Sequence, residues 1–390
     1  MTGNMVDPAT GVPPADRPPG TGAAHLVPLA VEGLQRMWRQ EHEAFAQTVR
    51  LVPGPTGPWL RPEGHNPRYT AIVALGASRL PEEQQRQALR GRRAADLVEE
   101  LVDRAPAEDG AAALTAWAAG EVLGTVPEPL LGRLAALVEE RAVDTVVLAW
   151  ALTASTTPTQ HGSDGRLAGL RRAARRRLLE ARGEGGTFPH RIPADSQPRL
   201  RRHVGSFADQ IYPVQALTRV AMLDEDDAAL AAAVGTADHL VALQGRHGEW
   251  WWHYHHPHGG VVERFPVYSV HQHGMAPMAL TELGALTSRR YDAAVERGVG
   301  WLRTHPQTVV ELVDPRHAMI WRKVGRREPG KLVRGLAATA TTAGVTLPTE
   351  HVDRAFPAGV VDHECRPYEL GWLLYAWAGL PDQPPAGGAP

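Results

Sequence analysis

The chain has 390 residues, of which 43% are hydrophobic, enough for a sizeable core, and it carries a net charge of −2. That balance leaves no global field for nucleic acid or an anionic membrane, and no apolar run reaches the roughly 18–20 residues that span a bilayer. A single cysteine, Cys365, excludes an internal disulfide framework, and no charged-then-apolar leader opens the sequence, so the expectation is a cytoplasmic protein with no integral membrane segment and no nucleic-acid partner.

Residues 1–24 are rich in Pro, Gly, Ala and Asp and 381–390 are similar, so both are read as disordered tails around a single domain at 25–380. Within that domain alanine, leucine and arginine dominate, and Val-Ile-Thr alternation at strand spacing is scarce, which predicts an all-α protein. Helical segments then alternate in two kinds. An almost wholly apolar segment at 69–80 is followed by a charged, amphipathic one at 81–103. The same alternation recurs as 111–123 with 128–141, 143–154 with 164–182, 207–223 with 225–243, 270–286 with 291–304, and, in reversed order, 329–343 with 368–380. Helices apolar on all sides must be buried and amphipathic ones belong outside them.

Part of this pattern is an internal repeat. Gln215-Ala216-Leu217-Thr218 precedes Met278-Ala279-Leu280-Thr281 by 63 residues. The loop from Arg182 to Phe188 precedes Gln244 to Trp250 by 62, with the spacing Gly, two residues, Gly, any, aromatic retained. Six helical hairpins of this kind predict an (α/α)6 toroid, an inner ring of six apolar helices within an outer ring. Gln244, Gly248 and Trp250, in a ring of alternating hairpins, resemble the QW-type repeat of the terpenoid cyclase and protein prenyltransferase superfamily. That resemblance implies a structural clasp between the end of an outer helix and the next turn, and an isoprenoid substrate in the central cavity. Polysaccharide lyases, sugar epimerases and six-hairpin glycosidases share the same ring.

The cavity of such a ring opens at the N-terminal ends of the inner helices, where unpaired N–H groups and helix dipoles favour anions. The residues expected there include Tyr69, Asp144, Asp209, Gln210, Tyr212, Tyr268, His271, Gln272, His273, Arg366 and Tyr368. Imidazoles suit proton transfer near neutrality, so His271 and His273 are the first candidates, with Asp209 one repeat earlier placed to share a proton with an imidazole. Asp144 matches only part of the class II cyclase acid signature, because Val143 stands in the place of the acid itself. Asp224-Glu225-Asp226-Asp227 matches the letters of that signature but opens an outer helix, where helix capping explains it.

Trp251 and Trp252 are candidate walls for a cation or a sugar ring. Arg322 and Lys323, on a long irregular connection able to fold over the mouth, would suit a diphosphate, sulfate or uronate. No cofactor is expected. His253, His255, His256 and His258 match no zinc spacing, and Asp362-His363-Glu364-Cys365 has one residue too many for the prenyltransferase zinc ligands. The leading expectation is a terpenoid-cyclase-like enzyme binding an isoprenoid; the alternatives are a carbohydrate-active toroid (lyase, epimerase or hydrolase) binding a glycan, and a non-catalytic scaffold.

Overall fold

The computed structural model describes residues 22–157, 165–342, 344–345 and 349–379. The tails predicted at 1–24 and 381–390 therefore lie outside the described residues, apart from 22–24, where Ala23 is fully buried. In chain order the helices are α1 (Val27–Met37), α2 (Pro67–Ala77), α3 (Glu82–Ala88), α4 (Ala94–Asp103), α5 (Asp109–Ala118), α6 (Glu128–Glu139), α7 (Thr145–Ala154), α8 (Gly165–Ala181), α9 (Phe207–Asp224), α10 (Asp227–Ala242), α11 (Ala276–Leu286), α12 (Asp292–Thr304), α13 (Leu332–Thr342), α14 (Thr349–Ala355) and α15 (Pro367–Trp377). A π-helical turn at Ala119–Leu123 extends α5, and another at His271–Met275 leads into α11.

The protein is an α/α toroid. Its inner ring runs α2, α5, α7, α9, α11 and α15, and closes by packing α15 against α2. The sequence explains which helices go inside: in α7 every residue but Val146 is buried, so no face of it tolerates water. Small residues let the ring tighten. A Cβ added at Gly76 would lie 2.1 Å from the Gly371 carbonyl oxygen, so α2 and α15 meet backbone to backbone where the ring closes. At the C-terminal end of the ring the core is sealed by a buried ionic cluster, in which Arg219 joins Glu121, Glu282 and the Tyr375 hydroxyl. Burial alone would raise the Glu121 carboxyl, but the Arg219 and Arg79 guanidinium groups outweigh it and hold the group down at about 2.

The outer ring differs from expectation at one place. Its helices are α4, α6, α8, α10, α12 and, as the partner of α15, the N-terminal helix α1. The segment at 329–343, predicted as the sixth outer helix, forms α13 instead, which packs on the strand Val261–Glu263. Only Val333 and Ala337 of α13 are buried, too narrow an apolar stripe to hold a place in the ring. The charged stretch at 81–103 also breaks in two, because Arg90 and Gly91 take positive φ between α3 and α4.

Short antiparallel ribbons decorate the all-α ring, and most feed an inner helix at its N-terminus. Val143–Asp144 pairs with Arg191–Ile192 before α7, and Val204–Ser206 pairs with His253–His255 before α9. Val267–Tyr268 pairs with Lys323–Arg326 before α11, and Glu364–Cys365 pairs with Thr48–Val52 before α15. These ribbons form a raised rim around one mouth of the ring.

Gln244 ties two outer helices together. Its amide nitrogen donates to the carbonyls of Gly248 at 3.0 Å and Ala294 at 2.9 Å, and its oxygen accepts from Arg297 at 2.8 Å, tying the end of α10 to α12. We expect Gln244→Ala to lower stability by about 1–2 kcal/mol, from two carbonyls losing their donor. Urea unfolding reads this loss, and an unchanged midpoint would show the clasp to be ornamental.

Candidate active site

At the mouth, the N-termini of α7 and α9 bring together an imidazole and two carboxylates. Asp209 lies in the first turn of α9, fully buried, where one oxygen accepts from the Ser206 backbone N–H and from the Ser206 hydroxyl, both at 2.7 Å. This is a capping box: Ser206 returns a bond to the Asp209 backbone N–H, which fixes the carboxylate. His190 Nδ1 meets the same carboxylate at 3.1 and 3.2 Å. The His190 side chain is 48% exposed while Asp209 is 0%, so an anchored acid presents an imidazole edge to the mouth. With Nδ1 engaged, Nε2 is the nitrogen left for a ligand.

The bond to Asp209 raises the His190 pKa above its ordinary value, its charge adds to the effect, and Asp144 contributes from the neighbouring strand of the ribbon. Asp144 precedes α7, is part-exposed, and pairs with Arg191 at 3.1 Å. The chain holds these two together through the Thr145 N–H, which donates to the His190 carbonyl at 3.0 Å.

Other inner-helix starts carry aromatic pairs. The rings of Trp252 and Tyr268 lie 4.6 Å apart, and those of Tyr69 and Tyr368 lie 4.7 Å apart. Arg366 donates to the Tyr69 hydroxyl at 3.0 Å, and Arg322 lies over the Tyr268 ring at 4.9 Å. Of the residues expected at the mouth, the structure thus brings together Asp209, Asp144, Trp252, Tyr268, Tyr69, Tyr368, Arg322, Lys323 and Arg366.

Other expected residues lie elsewhere. His271 is buried in an aromatic box, with its ring 4.5 Å from Phe207, 5.1 Å from Tyr268 and 5.9 Å from Trp252. His273 is fully buried, and neither ring nitrogen finds a hydrogen-bond partner. Burial drives both imidazoles down to about 3, so at neutral pH both are uncharged core groups. The reason is the π turn at His271–Met275, which winds the His-Gln-His stretch into the ring rather than leaving it on the rim. Gln272 is buried too: its oxygen accepts from the Trp250 N–H at 3.3 Å and its amide donates to the Tyr268 carbonyl at 3.2 Å. Gln210 does the same one repeat earlier, clasping Phe188 through both N–H and carbonyl. Both glutamines splint the loop rather than face a ligand.

Trp251 is buried against Phe265, donating to the Leu243 carbonyl at 2.8 Å beneath Arg264. Tyr212 is buried in the ring, its hydroxyl accepting from the Trp372 indole at 2.8 Å. The basic groups at the mouth are already matched: Arg322 with Glu364 at 2.7 Å and Glu369 at 3.1 Å, Lys323 with Asp362 at 2.8 Å, and Arg366 with Glu364 at 3.2 Å. A diphosphate would have to displace these carboxylates. Among the described residues no group of three or more His, Cys, Asp or Glu is placed to hold a metal ion. Cys365 is buried, and burial pushes its thiol well above the ordinary range. Asp226, within the acidic run at 224–227, caps α10 by accepting from the Ala229 N–H at 2.9 Å and pairs with Arg175.

His190 escapes a reading based on helix ends because it sits in the middle of the loop between α8 and α9. The repeat carries the missing signal. His190 precedes Trp252 by the same 62 residues that separate Asp209 from His271. In one repeat these two positions hold a stacked Trp-His pair with planes 12° apart; in the other they hold the His-Asp pair.

No protein-family model matches the chain, and no curated protein matches it in sequence. Solved structures of similar shape exist. An unsaturated glucuronyl hydrolase specific for heparin superposes with a TM-score of 0.55 at 12% identity, covering 91% of this chain and 95% of its own. The unsaturated glucuronyl hydrolase from Bacillus sp. GL1, responsible for the degradation of glycosaminoglycan, gives 0.53 at 12% identity, covering 90% and 94%. The cellobiose 2-epimerase from Bacillus thermoamylovorans gives 0.54 at 12% identity, covering 83% and 99%. At that identity the likeness establishes the α/α-toroid fold, shared with hydrolases and an epimerase of sugars.

Proposed function

We propose that the chain is a carbohydrate-active α/α-toroid enzyme that binds a glycan at the rimmed mouth and moves a proton through His190. The observation that carries this reading is the His190–Asp209 pair: a half-exposed imidazole fixed by a fully buried carboxylate, at a mouth whose other helix starts carry aromatic faces that can stack on a sugar ring. Asp209 positions the ring and favours the imidazolium, His190 gives or takes the proton at Nε2, and Asp144 is the second carboxylate at the mouth. Proton transfer at a sugar serves hydrolysis, elimination and epimerisation alike, and the fold-level likeness to sugar-active enzymes supports this class by analogy.

The terpenoid-cyclase reading gains nothing from those likenesses. Two further features weigh against it: Val143 stands where the cyclase acid is required, and the rim cations are already paired with carboxylates. The test is incubation with a panel of neutral and acidic disaccharides in heavy water, followed by NMR. New reducing ends mark hydrolysis, vinylic protons mark elimination, and deuterium at a ring carbon marks epimerisation. Turnover of isoprenyl diphosphates with none of these signals would overturn the proposal.

A further inference from the structure

Arg334 is a rim cation with no carboxylate partner among the described residues. It is carried by α13, which is held to the ribbon at 204–206 and 261–263 by the small cluster of Val204, Val262 and Ala337 and by the His203 ring meeting the Thr341 hydroxyl at 2.8 Å. From there its guanidinium lies over the Trp252 ring, 5.9 Å from the centroid. The neighbouring cations Arg191, Arg322, Lys323, Arg326 and Arg366 each have a carboxylate partner. Arg334 makes no ion pair among the described residues, and its Nε is shut off from solvent with no hydrogen-bond acceptor. A buried donor left without an acceptor is destabilising, a penalty that an incoming anion would relieve.

We propose that Arg334 forms an anion subsite that receives a carboxylate or sulfate substituent of a sugar bound beside Trp252. This inference rests on the carbohydrate reading above and narrows it to acidic glycans. The planar guanidinium fork matches the two oxygens of a carboxylate. The subsite adjoins the proton-transfer pair, since Ser206, which holds Asp209, pairs across the ribbon with His253, the neighbour of Trp252.

The test is titration calorimetry with two matched disaccharides, one ending in glucuronic acid and one in glucose, on the wild type, Arg334→Gln and Arg334→Lys. The wild type is expected to favour the acidic ligand by about tenfold or more, with the preference shrinking as salt rises. Arg334→Gln is expected to remove most of that preference while leaving the glucose-terminated ligand unaffected, and Arg334→Lys to keep part of it. Equal wild-type affinity for the two ligands, or a preference that survives Arg334→Gln, would overturn the subsite alone. Failure of the wild type to bind either disaccharide would bring down the carbohydrate reading and the subsite with it.

Discussion

His190→Ala is expected to lower kcat by about 10²–10⁴-fold on whichever glycan the chain turns over, the usual worth of a positioned general acid or base. The side chain is half exposed, so alanine leaves no large cavity, and the stability change should be confined to the lost pairing with Asp209, fading as pH rises above the His190 pKa. Asp209→Asn tests the pairing. Asp209 holds the His190 pKa above its ordinary 6.5, so the imidazolium persists to higher pH in the wild type. If His190 donates the proton, activity falls as pH rises through that raised pKa, and removing the carboxylate charge shifts this limb to lower pH. The same linkage makes the pair's contribution to stability complete below 6.5 and lost as pH rises through the folded value. A His190→Ala variant with wild-type kcat, or an Asp209→Asn variant with an unmoved pH limb, would remove the dyad from the mechanism.

The ring was legible because its signal is large and repeated. A helix such as α7, buried on nearly every side, has no other place to go than the inside of the ring, and six of these alternate with amphipathic partners. The exception is instructive. Ala30, Val31, Leu34 and Met37 of α1 carry a helical apolar stripe, yet closing the ring pairs the first helix with the last, a relation no local window contains. The site was legible in part. Aromatic and acidic residues at inner-helix starts could be placed from sequence, since a cap position fixes Asp209 as it fixes the helix. Burial around a π turn could not, so His271 and His273 read as rim residues although their rings sit in the core. Asp209 was expected to share a proton with an imidazole; the imidazole it meets is His190, reached by a loop whose path depends on tertiary packing. The basic residues failed differently: Arg322 and Lys323 do reach the mouth, but their partners Glu364, Glu369 and Asp362 come from a segment some 40 residues away.

The buried histidines carry the second large expected effect, an acid-sensitive core. Desolvation, the main cause in both, sets His271 and His273 at about 3 in the folded state against 6.5 unfolded. Between those values the unfolded chain binds protons that the folded chain refuses, so stability falls as pH drops from 6.5 towards 3. At pH 5 each histidine costs about 2 kcal/mol relative to neutrality, a sizeable share of a typical stability of about 5–15 kcal/mol. Other groups act in the same range. Burial raises the Glu369 carboxyl to about 7, so its folded form gains a proton first and opposes the loss, while Glu121, held at about 2, keeps its contribution until the pH falls below 4.5. A comparison of variants cancels both. Urea unfolding at pH 7.5 and 5 should show His273→Leu losing about 2 kcal/mol less than the wild type on acidification, and His271→Phe with His273→Leu about 4 kcal/mol less. At pH 7.5 His273→Leu should cost little, because leucine fills a similar volume and leaves no buried nitrogen without a partner. Identical pH dependence in wild type and double variant would mean that the two rings are protonated in place, and that the core admits the water or anion needed to hold their charge.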